Sequence, residues 1–219
     1  MSQKRKGLSI LGVCLLAALG IMAFSASAAQ AAGEWLINGK TLVEKGILSE
    51  TVTGEKDPLA EPELLVPGIG IAIFCNEFTI VNGKIERLGK SKAALTFSEC
   101  EVLEAPDCEV TVAPATAKDQ VELMGTEVFD IFSPEVAGGN FTTITIEGEF
   151  CPFEFINEPV RGSLAVRVPA ATPTPLIEEY ANQALFSAGL FFGNEPAELD
   201  GAVLLELSGA NSGQPWTAH

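Results

Sequence analysis

Six pairs of carboxylates stand two residues apart along the chain: Glu55/Asp57, Glu61/Glu63, Glu99/Glu101, Asp107/Glu109, Glu147/Glu149 and Glu198/Asp200. On a β-strand, residues i and i+2 share a face, so each pair offers the two acids that glycoside hydrolysis uses. Spread over about 190 positions, an acidic composition of this kind gives about four such pairs by chance. Six is close to that background. Each pair therefore reads as solvated acidic surface, and a carboxylate-dependent polysaccharide hydrolase stands as an alternative to a non-catalytic protein.

Other chemistry is poorly provided for. A Ser-His-Asp or Cys-His arrangement needs a held imidazole, and the one histidine is His219, the last residue. There is no G-x-S-x-G elbow, no H-E-x-x-H and no glycine loop that would cradle a phosphate. Only five acids are Asp, and no D-x-[DN]-x-[DN]-G loop occurs to hold calcium. The sequence thus predicts no catalytic, cofactor-binding or metal-binding residues. Asn140-Phe141-Thr142 matches the N-glycosylation acceptor pattern. Trp35 and Trp216 read as core anchors near the termini, with a sugar-stacking surface as the other possibility.

Cysteine chemistry is more informative. Behind the leader described below remain Cys75, Cys100, Cys108 and Cys151, an even number without C-x-x-C spacing. These read as two disulfides, not as a zinc site. Pro106-Asp107 is a turn signal between Cys100 and Cys108, so the expected pairing is Cys100–Cys108 with Cys75–Cys151. Cys75–Cys100 with Cys108–Cys151 is the competing connectivity.

The N-terminus sets the compartment. Lys4, Arg5 and Lys6 lead into an apolar run from Gly7 to Phe24, followed by Ala26-Ser27-Ala28 and Ala29-Gln30-Ala31. Positive, apolar and A-x-A segments in that order describe a secretory signal peptide over 1–28, with cleavage before Ala29 or Ala32. The run is long enough to span a bilayer, but the two cleavage sites behind it argue for removal. Cys14 lies inside the run, with Val13 where lipidation requires a small residue, so it reads as a discarded apolar residue. Residues 29–219 are expected to form one domain, secreted or in the cell envelope, where thiols are oxidised.

The leader holds three of the 13 basic residues and none of the 29 acidic ones, so the formal charge of −16 becomes −19 without it. Such a surface repels nucleic acid and anionic membranes and favours basic partners or cations. The cluster Lys84, Arg87, Lys90 and Lys92 reads as a solvated hairpin arm.

The elements that must position these groups are strands. Thr142, Ile144 and Ile146 alternate with Phe141, Thr143 and Thr145; Leu164, Val166 and Val168 align, as do Ile69, Ile71 and Ile73. Period-two patterning of this kind predicts an antiparallel β-sandwich or barrel. Asn38-Gly39 and Asn82-Gly83 suit two-residue type I′ turns, the second pairing Ile80 with Ile85. Further strands are expected at Ala94–Phe97, Cys108–Val112, Glu149–Ile156, Leu185–Phe192 and Ala202–Leu207. One short helix is expected at Leu176–Leu185, entered from Pro175. Ser49–Pro67 and Pro169–Pro175 read as loops, the latter returning the chain to the same β structure.

Trp35-x-x-x-Gly39-x-x-Leu42, a strand ending in Cys75 with an Asn-Gly hairpin, Phe97-Ser98-Glu99-Cys100 with Cys108, and Asn194-Glu-Pro-Ala-Glu-Leu-Asp-Gly201 before a strand and Gly209 form a set. In these features the chain resembles secreted bacterial β-rich proteins of unknown function. The resemblance implies an extracytoplasmic β-rich domain and no activity assignable to particular residues. The leading expectation is a non-catalytic extracytoplasmic binding or structural protein. A polysaccharide hydrolase and a β-barrel carrier of a small apolar ligand are the alternatives.

Overall fold

The computed structural model describes residues 31–169, 173–182 and 189–219. The signal peptide expected over 1–28, and with it the cleavage expected before Ala29, lies outside the described residues. Strands dominate. They are β1 (Ala31–Ala32), β2 (Trp35–Ile37), β3 (Lys40–Thr41), β4 (Ser49–Lys56), β5 (Glu63–Val66), β6 (Ile71–Glu86), β7 (Lys90–Val102), β8 (Glu109–Val112) and β9 (Ala115–Met124). There follow β10 (Glu127–Pro134), β11 (Asn140–Glu147), β12 (Phe155–Arg161), β13 (Leu164–Val168), β14 (Leu176–Asn182), β15 (Leu190–Phe192), β16 (Glu195–Ser208) and β17 (Trp216–Ala218). One 3-10 turn, Gly209–Asn211, is the helical element among the described residues.

The antiparallel ladder β4–β6–β7–β9–β10–β13–β14–β16 returns to β4, because β16 pairs with both β14 and β4. The sheet therefore closes into an eight-stranded barrel, which leaves none of these strands as a free edge over its paired length. A second sheet, β15–β12–β11–β8, hangs from the first residues of β16. β5 lies between the early parts of β6 and β16. Long β16 thus joins the two sheets.

Two cores result. One fills the barrel around Val52, Ile85, Val121, Val168, Leu205 and Leu207, and is plugged by Trp35 and Trp216 from the small sheet β17–β2–β3. The other joins Leu64, Val66, Ile73, Ile146, Val160 and Phe192 beneath the second sheet. Outward positions on β4 and β9 are polar (Thr51, Thr53, Glu55, Thr116, Lys118). A barrel that spans a membrane carries an apolar band there instead. Among the described residues no helix is long and apolar enough to cross a membrane.

Alternation explains most of the strands. On β9 the buried Ala115, Ala117, Asp119 and Val121 alternate with exposed or half-buried neighbours. The Asn38-Gly39 turn forms as expected, with φ of 53° and 71° and Ile37 opposite Lys40.

Several expectations are corrected. Asn82-Gly83 is not a turn but a bulge inside β6, where the register shifts between Val81 and Lys84. Ile80 consequently faces Leu95, and Ile85 faces Ser91. Asn82 takes φ 56°, while a Cβ on Gly83 would lie 2.6 Å from the Val52 carbonyl oxygen of β4. Positive φ and a missing side chain serve close strand approach here, not chain reversal. The reversal comes after Glu86, through Leu88 and Gly89 at φ 64° and 67°.

That displacement decides the disulfides. With the hairpin turn at 87–89, Cys75 lies directly opposite Cys100, and the two are bonded at a Cα separation of 3.9 Å. Cys108 bonds Cys151 with Cα atoms 4.6 Å apart, because β8 pairs with β11 and sets the turns beyond their ends side by side. The expected Cys100–Cys108 and Cys75–Cys151 bonds do not occur.

The expected helix at Leu176–Leu185 is strand β14 over Leu176–Asn182, paired to β13 and β16; residues 183–188 lie outside the described residues. Much of the Ser49–Pro67 loop is strand, in β4 and β5. The strand expected at Glu149–Ile156 begins only at Phe155, after a turn that carries Cys151.

Candidate functional site

None of the six i, i+2 carboxylate pairs lines the interior. Glu55, Glu61, Glu99, Glu101, Asp107, Glu109, Glu147, Glu149, Glu198 and Asp200 are exposed, and Glu63 is half-buried. Asp57 is buried, but its Oδ1 accepts from the Leu59 N–H at 2.7 Å and closes a local turn. Lys84, Lys90 and Lys92 are exposed, whereas Arg87 uses its Nε to donate to the Ile47 carbonyl at 2.7 Å. Asn140 is exposed at the start of β11.

The interior instead gathers three acids from three strands. Asp119 on β9, Asp130 on β10 and Glu179 on β14 are 8%, 2% and 1% exposed. Register places them: Asp119 faces Phe132, Asp130 faces Val121, and Glu179 faces Val203. All three border a chamber of about 80 Å³ whose other walls include Trp35, Trp216, Val52 and Leu205. Among the described residues no group of acids is arranged to hold a metal ion.

Burial without a counter-charge disfavours the ionised form of each acid. It pushes the Asp119 carboxyl up to about 7, despite a hydrogen bond with Asp130 and another from the Ser91 backbone. It pushes Glu179 up to about 8, with the charge of Asp119 adding to the effect. Asp130 is raised well above the ordinary carboxyl range by burial first, then by the charges of Asp119 and Glu179. Asp130 is therefore the acid that keeps its proton and donates it to Asp119.

The tryptophans are core residues, 2% and 0% exposed, with ring centroids 5.6 Å apart. They leave no surface for stacking a sugar. Trp216 Nε1 donates to the Pro175 carbonyl at 3.1 Å, while Trp35 Nε1 is buried without a hydrogen-bond partner.

A larger cavity of about 130 Å³ lies against the second core, lined by its Leu64, Ile73, Ile144 and Leu190 and by Phe78, Phe97 and Phe132 of the barrel strands. A third chamber of about 80 Å³ adjoins both: it shares Pro62, Phe132, Leu164 and Leu199 as lining with the apolar cavity, and Phe132, Glu179 and Val203 with the acidic one. Outside the barrel, Ser91, Lys92 and Asp119 also border a surface groove of about 430 Å³, together with Lys90, Lys118 and Glu135.

The buried acids had a sequence signal of a different kind from spacing. Each occupies a position that alternation reserves for an apolar residue, as in Ala115-x-Ala117-x-Asp119-x-Val121 and Ile177-x-Glu179. No family model matches the chain, and neither a curated protein nor a solved structure matches it.

Proposed function

We propose that the protein is an extracytoplasmic binding protein that carries a small apolar ligand inside its barrel. The observation that carries this reading is the cavity of about 130 Å³ between barrel strands and the second core, walled by aromatic and aliphatic side chains. An apolar cavity of about 150 Å³ accepts a benzene-sized ligand, and barrels of eight strands are wide enough to hold one small molecule. The leader argues for export into the secreted or envelope fraction, and the two disulfides for an oxidising compartment. The hydrolase reading gains little support, because glycosidase carboxylates must flank an open sugar site, whereas Asp119, Asp130 and Glu179 are buried in the barrel.

Ala115, 4% exposed, borders the apolar cavity, so Ala115→Leu directs added methyl groups into it. Saturating toluene should raise the unfolding temperature of the wild-type protein. Ala115→Leu should raise the ligand-free unfolding temperature and abolish the toluene effect. No toluene effect on wild type, or an equal one on the variant, would overturn the proposal.

A further inference from the structure

We infer that the ligand carries an ammonium group with a hydroxyl or carbonyl oxygen beside it, and that Asp119, Asp130, Glu179 and Trp35 bind this head group. The inference rests on the ligand-binding reading above and adds the chemistry of the ligand's polar end.

Four buried polar atoms around one chamber lack hydrogen-bond partners: Asp119 Oδ1, Asp130 Oδ1, Glu179 Oε1 and Trp35 Nε1. Buried polar groups in folded proteins are nearly always paired, and leaving one unpaired costs stability. Trp35 is the independent witness: it is not an acid, it comes from β2, and its N–H can only donate. A head group that satisfies all four atoms must give hydrogen bonds to carboxyls and accept one from an indole. An ammonium with a neighbouring oxygen does both.

Charge selects a cation over a neutral donor. The other charged side chains bordering this chamber are Lys84 from β6 and Lys92 from β7, both exposed. Lys92 Nζ is engaged by Glu86 at 2.9 Å, and the Glu86 charge further opposes ionisation of Asp119. From β4, β16 and β17 the walls are Val52, Val203, Leu205 and Trp216. A bound cation would supply the missing counter-charge. The acidic exterior draws cations toward the molecule.

Adjacency suggests where the rest of the ligand goes. Glu179 borders both the head-group chamber and the one adjoining it, and Phe132 borders all three. An amphiphile anchored at Glu179 would reach the apolar cavity by displacing the Phe132 side chain that stands between them. Because Asp119 and Glu179 retain protons near neutrality, seating an ammonium beside them expels protons to solvent.

Calorimetry on the described domain in its full chain, at about pH 7 and in two buffers of different ionisation enthalpy, tests this with three probes. These are 1-amino-2-octanol, 2-octanol and octanoate. The amino alcohol should bind at least about tenfold more tightly than 2-octanol and release about one proton, with octanoate weakest. Asp130→Asn with Glu179→Gln should remove that advantage, so that the amino alcohol binds the variant no more tightly than 2-octanol does and without proton release; Glu179→Gln alone reads the same way if the double variant does not fold. If 2-octanol binds as tightly as the amino alcohol, or the amine binds without proton release, the head-group inference fails and the ligand-binding reading stands. If none of the three binds, both fail.

Discussion

Asp119 and Asp130 stand diagonally across the β9–β10 ladder and share a hydrogen bond, with Phe132 opposite the first and Val121 opposite the second. Diagonal neighbours on one face of an antiparallel pair are within reach of each other. Two carboxyls in that position cannot both ionise cheaply, so the pair shares a proton in the folded state. Unfolding exposes both to water, where each ionises near pH 4.

Stability should therefore fall as pH rises. Asp119, Asp130 and Glu179 all have carboxyls raised above their unfolded values. Their contribution is fully present below about pH 4 and is lost as pH climbs through about 7 and 8 for Asp119 and Glu179. Each such group costs about 1.4 kcal/mol per pH unit across its window. Urea unfolding at several pH values between 4 and 9 should show a falling midpoint; Asp130→Asn should flatten the slope and raise stability at pH 8. A midpoint that rises with pH would contradict the protonated core.

Non-reducing peptide mapping should yield linked peptides containing Cys75 with Cys100 and Cys108 with Cys151. The chain between the bonded cysteines spans 25 and 43 residues, so the entropic contributions are about 3.5 and 4 kcal/mol before any native-state strain. Replacing Cys108 and Cys151 together by serine should cost slightly more than replacing Cys75 and Cys100. A peptide joining Cys100 to Cys108 would refute the β6–β7 register.

The two tryptophans should respond differently to phenylalanine. Trp216→Phe leaves the Pro175 carbonyl without its indole donor and opens space in a fully buried site, a loss of about 2–3 kcal/mol. Trp35→Phe removes an N–H that has no partner within the protein, so its cost should be smaller. Chemical denaturation of both variants without ligand reads the difference; equal losses would mean that Trp35 Nε1 is satisfied.

Gly83→Ala should destabilise by more than glycine's ordinary strand penalty reverses. Its methyl would meet the Val52 carbonyl oxygen and Ile80 Cγ2, each at 2.6 Å, and backbone oxygen does not yield as a flexible side chain does. Gly39→Ala is the comparison: nothing lies near its Cβ, but its φ of 71° still strains an L-residue. Thermal unfolding should rank Gly83→Ala as the more damaging of the two.

Much of the fold could be read locally. Ile144 and Ile146, or Ala115 through Val121, announce their buried face by alternation alone. Asn-Gly proved ambiguous because a type I′ turn and this bulge make the same local demand, a positive φ at asparagine. Only pairing with β4 and β7 distinguishes them, and that information is not local. Leu176–Asn182 has residues that tolerate a helix, yet ladders on both sides make it a strand, as tertiary context overrides propensity. The acid cluster was hidden for a similar reason. Asp119 and Asp130 meet across the β9–β10 ladder, but Glu179 joins them only through β13, which pairs with both β10 and β14, and no spacing rule within a strand can anticipate that pairing.

The double duty of β16 also dictates an order of events for the growing chain. β4 finds its second ladder partner only in Val203–Ser208, after every strand from β5 to β15 has been made. Until then β4 and β14 are open edges, available to pair with other chains. A chain exported as a thread would meet this interval outside the cytoplasm, with Cys75 and Cys100 already able to lock the β6–β7 hairpin. Closure so late in the sequence makes folding slow for its size, and it makes the early hairpin bond a guard on register during the wait.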